Sequence, residues 1–138
     1  MSVELKNRTK KFALNIMALC GALPVATSTK HAVGQVIRSA SSVAANYRAA
    51  CRGRSKAEFI AKLGIAEEEA DETCFWLELL IEARKPIAPI LSPSPPTLPS
   101  PVICAEALRE MNRLLDEANQ LVAIIVASRK TARSRLER

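Results

Sequence analysis

Residues 35 to 80 read QVIRSASSVAANYRAACRGRSKAEFIAKLGIAEEEADETCFWLELL. Two long helical periodicities meet there at a basic corner, Arg52-Gly53-Arg54. On the upstream side Val33, Ile37, Ala40, Val43, Ala44 and Tyr47 recur at the 3.6-residue spacing of a helix with one apolar face. The small residues from Ser39 to Ala45 let a neighbouring helix approach closely. That pattern stops near Cys51, with Gly53 as the natural break. Downstream, Ser55 and Glu58 have the spacing of a capping box, in which each side chain satisfies a free N–H group of the other residue. From there Phe59, Leu63, Ala66, Ala70, Thr73 or Cys74, Leu77 and Leu80 carry a third helix to about Arg84.

The flanks extend the same architecture. Leu5, Phe12, Ile16 and Leu19 predict a first helix from about Val3 to Cys20, closed by Gly21 and Pro24. Thr27, Ser28 and Thr29 offer hydroxyl caps for the second helix. A proline-rich connector, about 85–101, holds seven of the eight prolines and excludes helix; it reads as a stiff, polyproline-like strap. Pro101 suits the first turn of a fourth helix, whose stripe is Leu108, Met111, Leu114 or Leu115, Ala118, Leu121 or Val122, and Ile125. The basic tail, about 129–138, is expected to fray. These four stripes predict one all-α domain over residues 1–138, an antiparallel up-down-up-down four-helix bundle.

Composition limits what such a bundle does. Nearly half the residues are apolar but only 4% are aromatic, which suits helix packing. The four cysteines, at 20, 51, 74 and 104, form no C-x-x-C pair and are expected to be reduced and buried. With a charged N-terminus and no apolar run near 18 residues, the expected location is cytoplasmic, away from membranes. No nucleophile–base constellation is visible, so no enzyme is expected, and no cofactor. Gly53-Arg54-Ser55-Lys56 lacks the order of a phosphate loop. Glu67/Asp71 and Glu68/Glu72 are like-charged i, i+4 pairs, but His31 does not complete a Glu-x-x-His metal pattern. Pairing with a neighbouring subunit's cations, or simple solvent exposure, is expected for those acids.

Charge supplies the functional lead. In an up-down-up-down bundle, the start of helix one, the corner, and the end of helix four share one pole. Thirteen of the twenty Lys and Arg fall in those three segments, against Glu4, Glu58 and Glu137, for about +10 locally where the whole chain carries +6. Lys10, Lys11, Arg48, Arg52, Arg54, Lys56, Arg129, Lys130 and Arg133 are therefore the candidate contacts to a nucleic-acid backbone, without base readout. Tyr47 is expected to be a buried ring with its hydroxyl reaching solvent, not a stacking platform. The other function class is a protein-interaction oligomer that engages a partner through the acidic face of helix three or the proline-rich loop. Trp76, Leu79 and Ile81, which broaden the apolar face of helix three, give a motive for self-association.

Several segments also occur in a recognisable order: Gln35-Val36-Ile37-Arg38, Ser41 to Asn46, Ser55-Lys56-Ala57-Glu58-Phe59, Leu63-Gly64-Ile65-Ala66, and an acid at Glu69 or Glu72. In these the chain resembles the four-helix-bundle proteins encoded in intervening sequences of bacterial 23S ribosomal RNA genes. Asn46 is followed by Tyr47-Arg48-Ala49-Ala50, where that family often has Ile-Ala-Glu-Gly. The resemblance implies a homopentamer. It also implies similarity to the accessory bundle protein of diversity-generating retroelements, which binds nucleic acid and a reverse transcriptase.

Overall fold

The computed structural model describes residues 2–24, 26–83 and 105–138. The proline-rich connector, the expected start of helix four at Pro101 and Cys104 lie outside them. Four helices follow in order: α1 Ser2–Ala22, α2 Lys30–Cys51, α3 Lys56–Glu82 and α4 Ala105–Leu136. No strand occurs among the described residues. Each helix packs on its two neighbours in a square, α1 on α2, α2 on α3, α3 on α4 and α4 back on α1. The diagonal pairs, α1 with α3 and α2 with α4, do not bring their backbones together and meet only through core side chains. The fold is an all-α four-helix bundle, its most extensive seam between α2 and α3 and its slightest between α1 and α4.

Two adjoining clusters fill the core. The larger joins Phe12, Ile16 and Leu19 of α1 to Val36 and Ala40, to Leu77 and Leu80, and to Met111, Leu114 and Leu121. The second lies toward the α2–α3 corner and contains Val43, Tyr47, Ala50, Leu63, Ala66, Ala70 and Ile125. From α1 only Leu5 packs against it, as a partly buried side chain. The corner end is therefore built chiefly by α2, α3 and α4.

Several expectations need correction. α1 continues through Gly21 to Ala22, and the buried Leu23 docks beyond it. Thr29 is the residue before α2, but its hydroxyl donates back to the Ala26 carbonyl at 3.3 Å and makes no cap bond. Ile60, not Phe59, is the first buried side chain of α3, and Phe59 is only half-buried. Leu108 is exposed, so the buried stripe of α4 begins at Met111. The basic tail does not fray: α4 stays helical to Leu136, because nothing between Arg129 and Leu136 breaks a helix. Cys20 and Cys74 are buried and Cys51 half-buried.

Candidate nucleic-acid interface

The corner between α2 and α3 is held by backbone geometry. The N–H groups of Arg52 and Gly53 donate to the carbonyls of Ala49 and Ala50, closing α2 with tight turns. A Cβ on Gly53 would lie 3.1 Å from the Ala50 oxygen and 3.3 Å from the Phe59 nitrogen. Glycine thus eases the close approach of the two chain segments, since a Cβ there would press on two backbone atoms. On the α3 side Ser55 is extended and its Oγ accepts from the Glu58 N–H at 3.1 Å. Glu58 reaches back to the Arg54 N–H at 2.8 Å, one residue earlier than a standard capping box places it.

This corner presents Arg48, Arg52, Arg54 and Lys56, all exposed. Among the described residues none of their side chains is ion-paired. Arg54 and Lys56 line a concavity of about 430 Å³ with Ala50, Cys51, Gly53, Ser55 and Phe59. The first N–H groups of α3 open nearby, and the helix dipole adds positive potential there. Lys62, half-buried on the second turn of α3, extends the basic surface. The sequence reading passed over it because it stands beyond the corner, inside the α3 stripe.

The end of α4 contributes unevenly. Lys130 and Arg133 are exposed and line a groove of about 360 Å³ with Ser134, Glu137 and Glu67. Arg129 sits in the same groove but is committed within the molecule. Its Nη1 donates to Glu67 Oε2 at 2.9 Å, and a Cβ on Gly64 would come within 3.2 Å of its Cζ. Gly64 therefore makes the slot in which the Arg129 guanidinium lies flat, and Arg129 Nε is buried there without a partner.

The lysines of α1 do not join this surface. Arg8 pairs with Glu117 at 2.7 Å and also donates to Gln120. At 1.5 Å per residue that meeting point lies about 15 Å along α4 from Arg129. Lys10 and Lys11 follow Arg8 along α1, farther from its N-terminus, and are exposed there. Counting the whole first half of α1 as its start placed them at the pole; the bundle's register separates them from it.

Part of the acidic run of α3 is paired inside the chain, at Glu67, Glu69 and Glu72, while Glu68 and Asp71 have no ion pair among the described residues. Arg38 of α2 reaches both Glu69 and Glu72, and Trp76 Nε1 donates to Glu72 at 3.1 Å. The Arg38 hydrogen bond, and then that of Trp76, holds the Glu72 carboxyl below the usual carboxylate range. No three His, Cys, Asp or Glu side chains among the described residues are grouped to hold a metal ion. Tyr47 is buried, and burial, with Cys51 adding to it, pushes its phenol up to about 12. Its ring is core and offers no stacking face. No helix among the described residues is long and apolar enough to cross a membrane.

Structurally this is a helical bundle with a strongly basic corner and an acidic helix paired in part from within. The family model described as 23S rRNA-intervening sequence protein matches residues 1–85, and the chain belongs to that family. Among solved structures it is similar to a protein with unknown function from the S23 ribosomal protein family of Bacteroides thetaiotaomicron VPI-5482. The two are 27% identical with a TM-score of 0.68, covering 94% of this chain and 99% of that chain. That likeness extends over the fourth helix, which the family model does not reach. No curated protein matches.

Proposed function

We propose that this protein is a non-catalytic, nucleic-acid-binding oligomer, a homopentamer as its family resemblance implies, and that the α2–α3 corner is its phosphate-contacting surface. The observation that carries the reading is the contrast in how cations are used. Arg48, Arg52, Arg54 and Lys56 are exposed with no acidic partner, whereas Arg8, Arg38 and Arg129 are each spent on a glutamate. Unpartnered guanidinium groups on one rigid corner bind phosphate oxygens and release condensed counterions, which gives affinity without sequence readout. Lys130 and Arg133 widen that surface, and Arg129 contributes through packing alone. Lys10 and Lys11 have no part in it.

Fluorescence anisotropy of labelled structured RNA and duplex DNA, at about 50 and 200 mM salt, tests the reading. Steep salt dependence that is lost in the Arg52→Glu/Arg54→Glu protein is the expected result. An affinity unchanged by that double reversal removes the corner from the interface. Absence of binding at low salt removes the nucleic-acid reading altogether. Light scattering at micromolar concentration tests the pentamer separately.

A further inference from the structure

Two helix faces outside the basic corner carry apolar side chains that the bundle leaves uncovered. On α1, Leu14 is 55% and Met17 51% exposed, one turn apart, with the exposed Lys10 one turn before Leu14. On α3, Phe75 is 52% and Leu79 43% exposed, also one turn apart, with the exposed Asp71 one turn before Phe75. The sequence pointed to Trp76 and Ile81 beside Leu79. Instead Ile81 is buried and Trp76 packs half-buried against the core, so Phe75 and Leu79 form the outward pair. Apolar residues at i, i+3 and i, i+4 on an exposed helix face are the anchors of helix–helix docking.

We propose that the outer face of α1 in one copy docks on the outer face of α3 in a second copy, head to tail. The occupant follows from charge: the α1 face is apolar and basic, and the α3 face is apolar and acidic. Lys10 and Asp71 have no ion pair among the described residues, and a parallel docking that sets Leu14 and Met17 against Phe75 and Leu79 places them opposite each other. Each α1 face therefore supplies what an α3 face lacks. The two helices are diagonal in the square and both faces are exposed, so one chain cannot satisfy both faces itself. Both run in the same direction, and both patches lie in the second half of their helix. Docking thus proceeds with parallel bundle axes and leaves every α2–α3 corner at the same end of the assembly. Such a heterologous contact uses two different patches and grows into a ring when its rotation closes.

The inference rests on the oligomeric part of the function proposed above, and the test separates the two. One variant carries Leu14→Asp and Met17→Asp, the other Phe75→Asp and Leu79→Asp. All four positions are exposed, and circular dichroism verifies the fold. Sedimentation velocity is run on each variant and on their equimolar mixture. The expected result is an oligomeric parent protein, two monomeric variants of 15.0 kDa, and a mixture that forms a species of twice that mass and no larger. Each variant keeps one intact face, so only unlike variants pair, and only once. Variants that retain the parent's size overturn the interface while leaving oligomerisation standing. Variants that dimerise alone show like-with-like docking and overturn it too. A monomeric parent protein overturns the oligomer and with it this contact.

Discussion

The arginines at the α2–α3 corner and those along the middle of the bundle are chemically identical and do opposite work. In the middle, Arg38 bridges α2 to Glu69 and Glu72, Arg8 ties α1 to Glu117, and Arg129 lies in the slot over Gly64 with its charge on Glu67. At the corner, Arg48, Arg52 and Arg54 are exposed without an ion pair among the described residues, and Glu58 beside them is occupied in capping α3. A cation beside a fixed carboxylate becomes part of the scaffold. A cation with no such carboxylate stays available to an outside anion. Local electrostatics, not the number of basic residues, thus separates the cations that hold the bundle together from those left open to a partner.

The comparison is broken most severely from beneath. Leu63 is fully buried under the corner, and Leu63→Ala is expected to cost about 2–5 kcal/mol by urea denaturation, the range for a buried leucine that leaves a cavity. A smaller loss means that the three-helix end can collapse around the gap. The sharpest separation comes from Arg52→Glu/Arg54→Glu set beside Arg38→Glu. The first should leave the Tm unchanged while reducing the slope of log affinity against log salt by roughly two, about one per lost phosphate contact. The second should lower the Tm and leave nucleic-acid affinity unchanged. Equal effects on both readouts would erase the distinction between the two groups.

Arg129→Ala leaves Glu67 without its partner and uncovers Gly64, and the expected cost is about 1 kcal/mol, with affinity altered far less than by the corner reversal. Ser55→Ala removes the α3 cap and should cost about 0.5–2 kcal/mol, measured by chemical denaturation. The last effect is on pH. Burial, and then Asp71 and Glu78, push the Cys74 thiol up to about 11, and burial raises the Tyr47 phenol to about 12. A pKa raised by folding gives stability that is present below the unfolded value, near 9 for the thiol, and lost as pH climbs through the folded one. Urea midpoints should therefore decline between about pH 9 and 11, and a flat profile would place these groups in contact with water.

Much of this was legible in order along the chain. The corner, the Ser55 cap and the α3 stripe follow from short-range signals, since a cap and an apolar period are made by residues three or four apart. The stripe of α4 follows for the same reason, with the structure choosing Leu114 over Leu115 and Leu121 over Val122 and leaving Leu108 out. The misreadings share a different origin. Thr29 turned its hydroxyl to Ala26, Ile60 displaced Phe59 from the core, and Arg129 left solvent for Gly64. Each outcome depends on a neighbour that local pattern does not name.

By itself the sequence determined the helices, their antiparallel order and the basic corner, because periodicity, capping and charge are local and additive. Only the tertiary structure decided which cations remain free. Whether Arg38 meets Glu72, or Lys10 stands apart from Arg52, depends on how far each helix slides along its neighbours. That register is set by the packing of side chains distant in sequence, such as Ser39 against Thr73 at 2.9 Å.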